Sequence, residues 1–339
     1  MEKKEISQSD IEEFDRLIST IYNRDSGKQY CFLCARKIHD SNLTEEHVVP
    51  KWVQSKFNLW DQQLNLPNGT SIAYRQLTVP CCYECNHQRL QPIETALSSA
   101  LTKGTNEIIR LGEETIFLWL GKILYGLIYK DLFLRVNLRD ENSGTIADQE
   151  TIKSLESHLY FLQMARRKVE FGNFFPASIF VFETQESPIP EANWDLFDNM
   201  LSLFIACRLG SVGFIAVLQD GGAQKKMESD LKKLAPYPLH PIQFRELGSM
   251  VFYKSTLFNR IPKYVSISTS PITVYQLPLG GFSTKPLFDD WDYKEYAKIL
   301  SYYTGVPLKY ISPSADLIKT WLKDDNGQPL FMDINEIIV

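Results

Sequence analysis

Two short runs, CFLC at residues 31–34 and CYECN at residues 82–86, decide how the first third of this chain folds. Each holds a CxxC pair, and two such knuckles supply the four thiolates of a tetrahedral structural zinc site, here Cys31, Cys34, Cys82 and Cys85. Cys81 is the spare, because only Cys82 stands at the right spacing from Cys85. Residues 35–81 separate the pairs, far more than the roughly 15 to 20 residues of a compact zinc ribbon. A folded element therefore has to lie between the knuckles.

Composition supports a metal role for these thiols. The opening MEKKEISQSDIEEF carries charges where the apolar core of a secretory signal would stand, so the chain is expected in the cytoplasm, where thiols stay reduced and six cysteines do not form a disulfide framework. The sixth, Cys207 in the apolar run LFIACRLG, reads as a small core residue. A formal charge of -5 in 339 residues gives no overall basic field, so contact with nucleic acid has to rest on a local patch. The most apolar run, IFLWLGKILYGLIY at 116–129, is interrupted by Lys122 and falls short of the roughly 20 residues that cross a bilayer. It reads as a buried helix, and no membrane partner is expected.

Between the knuckles stands LTEEHVVPKW, residues 43–52, a short strand ended by Pro50. KWVQSKF reads as a short helix, LPNGTS as a hairpin-type turn about Asn68 and Gly69, and IAYRQLTVP as a second strand. The second knuckle opens a helix from Asn86 to about Leu101 that Pro92 kinks or restarts. Strand, strand and helix, clamped at both ends by zinc, bring Glu46 and His47 near Asn86.

With CFLC, EEHVVP and CYECN in this order, the region resembles the HNH endonucleases of the ββα-metal fold in their zinc-bound CxxC…CxxC form. The resemblance covers about residues 28–101 and places an HNH module at 28–103. It implies that Glu46 and Asn86 hold one divalent cation, Mg²⁺ or Mn²⁺, and that His47 is the general base activating water, while Arg89, one turn along the same helix, is either a contact to the scissile phosphate or a solvated surface residue. It also implies DNA as the substrate ahead of RNA, and a setting such as bacterial anti-phage defence. The residue types suit that chemistry on their own terms. Histidine accepts a proton near neutral pH, and a carboxylate with an amide oxygen is a hard donor set that leaves positions open for phosphate and water.

Each of these residues has a plainer reading. An isolated Glu–His pair is usually a loop acid beside a satisfied histidine, and asparagine is a good helix N-cap. His87 is an auxiliary ligand or a surface residue, and Glu94 either completes the metal shell or pairs with Arg89. The asparagine that usually braces the histidine loop from the second strand is missing, with Gln76, Thr78 and Asn65 as substitutes. The alternative function is a noncatalytic zinc module that binds nucleic acid or protein.

Residues 1–27 form an N-terminal segment whose stretch SDIEEFDRLISTIYNR predicts an amphipathic helix, with Ser9 and Glu12 as a capping box. Gly104 marks the expected boundary, and 104–339 reads as a larger mixed α+β domain for recognition, sensing or assembly, offering a surface to an oligomeric or regulatory partner. The whole chain is thus expected to be α+β. Residues 105–171 read as mainly helical, ASIFVFET and SVGFIAVLQ as buried strands, and KYVSISTSPITVYQL as β-like. AQKKMESDLKKL, HPIQFRELGSMVFYKSTLF and DDWDYKEYAKILSYYTG read as helices, the last ending at Gly305. Arg166, Arg167 and Lys168 are a solvated helix end or a DNA contact, and the run about Gly280 and Gly281 lacks the lysine and hydroxyl of a phosphate loop.

Overall fold

A computed structural model describes residues 27–172, 174–267, 272–280, 283–314 and 317–336. The amphipathic helix expected near the N-terminus lies outside these residues. The chain is mixed α+β and divides into two compact units. Unit 1 takes residues up to 99, 111–173 and 265–275, and unit 2 takes 100–110, 174–264 and 276–339.

In unit 1, β1 (Leu43–His47) pairs antiparallel with β4 (Thr78–Cys82), so that Leu43 faces Cys82 and His47 faces Thr78. The second strand expected from IAYRQLTVP is two strands. β3 (Ser71–Ala73) pairs with β2 (Gln63–Asn65) across the Asn68–Gly69 turn, and β4 begins only after a 3₁₀ turn at Tyr74–Gln76. Gly69 takes φ +77° in that turn, a conformation in which a side chain would be strained. Helix α1 (Lys51–Lys56) follows Pro50 directly. The second knuckle opens a π-helical segment, Glu84–Leu90, which runs into α2 (Gln91–Leu101). Pro92 thus sits where the π-helical turns pass into α2, the point at which a proline is expected to kink or restart the helix.

After α3 (Thr105–Arg110), which belongs to unit 2, the chain returns to unit 1 with α4 (Gly112–Asp131). Its residues Ile116–Tyr129 are buried on every side, Lys122 included, so the apolar run is a core helix as expected. Phe32 of the first knuckle stacks on Tyr125 with ring centroids 6.3 Å apart. Helices α5 (Gln149–Ser154) and α6 (Glu156–Leu162) follow, and Gln163 just beyond them donates to Leu33 O at 2.9 Å. These contacts move the division of the chain away from Gly104: residues 111–173 complete the core beneath the cysteine knuckles and do not begin a second domain. Strand β5 (Val169–Phe171) then pairs in parallel with a strand from much later in the sequence, given below.

Unit 2 is centred on a four-stranded antiparallel sheet of β6 (Ser178–Glu183), β7 (Trp194–Asn199), β8 (Phe204–Leu209) and β9 (Val212–Val217), in the order β6-β9-β8-β7. β6 and β9 are the two buried strands read from the sequence. β8 is the LFIACRLG run, and Cys207 on it is fully buried. Helix α7 (Glu228–Leu234) and the 16-residue α8 (Pro241–Thr256) cover one face of the sheet, with Phe244, Leu247 and Val251 of α8 packed on Phe204, Ala206 and Ile215. Strands β10 (Tyr264–Ile267) and β11 (Ile272–Gln276) follow, and β11 is the partner of β5, with Ile272 opposite Val169. Helix α9 (Tyr293–Thr304) starts at Asp292, whose carboxylate accepts from the backbone of Lys294 and Glu295, and stops at Gly305 with φ +73°. A short α10 (Leu308–Ile311) follows.

Gly213 on β9 lies against the Phe244 ring, and a Cβ there would fall far inside van der Waals contact with it. The missing side chain is what lets α8 lie close to the sheet. Gly213→Ala is expected to destabilise unit 2 by about 1–3 kcal/mol through overpacking, read as a lower denaturant midpoint of its unfolding transition. An unchanged midpoint would show that the helix does not rest on that glycine.

Candidate functional site

The four cysteines predicted as ligands come together. Cys31, Cys34, Cys82 and Cys85 are all buried and their sulfurs lie within 4.8 Å of one another. Local backbone geometry does much of this work. The first knuckle turns at Ala35, with φ +54° and Ala35 N donating to Cys31 O, and Phe32 N donates to Pro80 O on β4 at 2.9 Å. Cys34 Sγ and Cys82 Sγ are 3.8 Å apart. Four sulfurs about 2.3 Å from a central ion at the corners of a tetrahedron stand about 3.8 Å from each other, so the arrangement is spaced to bind a metal ion and is consistent with structural zinc. Cys81, the expected spare, is outside the set and its Sγ lies 3.9 Å from Cys31 Sγ. Burial pushes the Cys31 thiol up to about 12, while hydrogen bonds from Cys31, Cys34 and Cys85 draw Cys82 below the usual thiol range. Ionising all four thiols so close together needs a cation at their centre.

Beside this cluster, a cleft of about 400 Å³ is lined by Thr44, Glu45, Glu46, His47, Pro50, Lys51, Asn86, His87, Gln91 and Glu94. The structure therefore brings Glu46, His47 and Asn86 to one place, together with Glu94 and His87. Arg89 does not join them. It pairs with Glu84 at 3.2 Å inside the π-helical segment and is absent from the cleft wall. The reason is helical register: its side chain leaves the segment on the side of Glu84, which Arg36 also approaches at 3.6 Å.

Glu46 is 6% exposed and Lys122 only 2%. The Lys122 ammonium forms ion pairs with Glu46 and, at 2.8 Å, with Glu94, and it donates to His47 O at 2.8 Å and Val48 O at 3.3 Å. Burial works to lower the Lys122 pKa, but the two carboxylates outweigh it and hold the ammonium charged. Burial also pushes Glu46 above the usual carboxylate range, against the opposing charge of Lys122. Glu94 was expected to pair with Arg89 or to complete a metal shell; its observed partner is Lys122. Sequence reading treated Lys122 only as an interruption of an apolar run. A lone charge in the middle of a helix buried all round was the available signal that it had acidic partners.

His47 is half-buried, and burial, followed by the charges of Lys51 and Lys122, holds its pKa below the ordinary imidazole value. Its Nδ1 lies 3.3 Å from Gln54 Nε2, which also donates to Val49 O at 2.8 Å. Gln54, fully buried on α1, is the brace of the histidine loop. None of Gln76, Thr78 and Asn65 makes a described hydrogen bond to His47, and Thr78 donates instead to Glu45 at 3.2 Å. A neutral ring accepting at Nδ1 carries its proton on Nε2. To accept a proton at Nε2 the ring has to hold its own on Nδ1, and Gln54 then has to turn its unpartnered Oε1 toward it.

Asn86 donates from Nδ2 to Thr44 Oγ1 at 3.0 Å and to Glu45 O at 3.3 Å, stitching the second knuckle to β1. His87 stacks on Tyr83 with centroids 4.3 Å apart and still reaches the cleft. Among the described residues, no helix is long and apolar enough to cross a membrane.

The class these observations define is a mixed α+β chain with a four-thiol metal-binding cluster beside a cleft of acids, imidazoles and an amide. Compared with known protein families, with curated proteins and with solved structures, the chain finds no match.

Two outcomes are expected. A strong chelator, or Cys82→Ser, should abolish the fold of the region about 31–85, measured by near-ultraviolet circular dichroism together with loss of about one thiolate-bound metal per chain, because metal affinity at such a site is folding energy. Lys122→Met should destabilise unit 1 by about 3–5 kcal/mol, the usual effect of stranding a buried charge. Adding Glu46→Gln should recover part of that loss in a denaturant titration.

Proposed function

We propose that unit 1 is a metal-dependent phosphodiester hydrolase of the HNH kind, acting on DNA ahead of RNA, with zinc at the four thiols and the reaction in the cleft between β1 and the π-helical segment. The observation that carries this reading is the convergence of His47, Glu46, Asn86 and Glu94 on one cleft braced by the thiol cluster. Residues far apart in sequence meet there in the combination that phosphodiester hydrolysis needs.

Two carboxylates and an amide oxygen are a hard donor set that fits Mg²⁺ or Mn²⁺. Glu46, Glu94 and Asn86 would hold such an ion, which supplies charge neutralisation at the phosphate. The chain's own groups do the rest. With Gln54 turned so that its Oε1 accepts from Nδ1–H, His47 takes the proton from the attacking water at Nε2. Lys122 holds the backbone carbonyl of His47 and both acids, so the base and the acidic pair keep a fixed distance as the substrate binds. Lys51 and His87 line the cleft wall, where they would meet the phosphate backbone. Unit 2 serves recognition, sensing or assembly, and a bacterial defence setting suits a nuclease coupled to such a unit.

A second reading, a noncatalytic zinc module that binds nucleic acid or protein, is favoured by one observation. Glu46, the carboxylate that would hold the cation, is already occupied by an internal ammonium.

The two separate in one experiment on the full chain. The hydrolase reading expects DNA cleavage that His47→Ala lowers about 10²- to 10⁴-fold, the usual contribution of a positioned general base, with thiolate-bound metal and folding unchanged. Glu46→Ala and Asn86→Ala should also slow cleavage and recover partly as Mg²⁺ or Mn²⁺ is raised, whereas His47→Ala should not. Full activity in His47→Ala would remove this mechanism. Nucleic-acid binding without cleavage of DNA or RNA under any divalent cation would support the noncatalytic module.

A further inference from the structure

Arg208, on β8 in unit 2, is 1% exposed. A guanidinium buried to that extent has five N–H donors to place. Its Nε donates to Asp195 Oδ2 at 2.6 Å and its Nη2 to Ala192 O, but Nη1 has no hydrogen-bond partner. A charged donor left without an acceptor in the interior is costly and rare, and it calls for an explanation.

Arg208 forms part of the wall of a cavity of about 440 Å³ that lies wholly within unit 2. Arg245, one turn into α8, shares the wall and donates from Nε and Nη2 to Asp195 Oδ1 at 3.0 and 2.5 Å. Both oxygens of Asp195 are therefore taken by two guanidiniums, which leaves one positive charge in excess. The start of α8, at Pro241 and Ile242, also faces the cavity and adds the positive end of a 16-residue helix dipole. His240 caps that helix by accepting from Ile242 N at its Nδ1, so the neutral ring carries its proton on Nε2 and offers a further donor.

Three acids also stand in this region, so anion selectivity rests on the placed donors of Arg208, Arg245 and the start of α8 and not on net charge. Glu191 in the wall is engaged in an interaction of its own, and Asp333 and Glu336 act on the imidazole of His240. The rest of the wall includes Trp194, Val306 and Ile334, which are apolar. The volume falls in the range of small-molecule sites, roughly 300–1,000 Å³, and exceeds what a bare inorganic ion fills.

We propose that this cavity binds a small organic oxyanion, a phosphate monoester or a carboxylate, with its anionic group held by Arg208 and Arg245 and its apolar part against Trp194. Guanidinium forks match both oxyanions in geometry. The proposal is independent of the hydrolase reading, because every residue in it belongs to unit 2.

Isothermal titration of the full chain at fixed ionic strength tests it with adenosine monophosphate, glutarate and inorganic phosphate, against chloride. Saturable binding with one site per chain is expected for adenosine monophosphate or for glutarate, the first marking a phosphate ester and the second a carboxylate, with inorganic phosphate weaker than the former. Arg245→Gln should weaken the bound probe about ten- to hundred-fold, the value of a charge-assisted hydrogen bond, and Asp195 keeps Arg208 in that variant. Should Arg245→Gln prove unfolded by circular dichroism, Trp194→Ala leaves both ion pairs in place and should weaken the same probe. Binding of neither organic probe beyond the chloride control, or equal binding by a folded variant, would overturn the proposal.

Discussion

The ammonium of Lys122 is withdrawn from water at a cost of several kcal/mol before any partner is counted, and unit 1 is arranged so that the cost is met. Two carboxylates and two backbone carbonyls surround it, drawn from β1, from α2 and from the loop that follows His47. Losing any one partner leaves a buried charge short of a bond. The position of α4 against β1 is therefore tied to the position of the two acids, and Gly126, one turn further along α4, lies against the Val48 side chain closely enough to allow that approach. The same four bonds hold the carbonyl of His47 and set where its ring can stand.

The thiol cluster imposes the second constraint. It ties residues 31–34 to residues 82–85, closing a long loop whose conformational entropy would otherwise oppose folding. Within that loop the β1–β4 ladder and the bond from Phe32 N to Pro80 O fix the register of the strand that carries Glu46 and His47. Asn86 adds a polar stitch from the second knuckle to β1.

Unit 2 solves its packing differently. Its sheet is almost wholly apolar on the face under α8, and a glycine replaces bulk where the helix comes closest. Among its buried polar groups is the Arg208–Asp195–Arg245 cluster, in which one carboxylate answers two guanidiniums. Both units thus hold an unequal set of charges, one ammonium between two acids in unit 1 and, in unit 2, one acid between the buried Arg208 and the partly exposed Arg245. Each imbalance borders a cavity.

Through the clamp of its two CxxC knuckles the sequence placed Glu46 and His47 near Asn86, although the strand that carries them ends at His47 and not at Pro50. The sequence alone also determined which four thiols gather, the exclusion of Cys81, the burial of Cys207, the turn at Gly69 and the cap at Gly305. These are features written in local spacing: a CxxC pair, a glycine at positive φ and an apolar run each act over a few residues. Only the tertiary structure decided that Gln54 and not a residue of the second strand braces His47, that Arg89 turns away to Glu84, that Lys122 joins Glu46 to Glu94, and that residues 111–173 complete unit 1. Each of these depends on which side chain of one helix meets which of another across long separations in sequence. A charge inside an apolar helix shows that a partner must exist, because burying it alone is too costly, but only the packing of α4 on β1 and α2 names the partner.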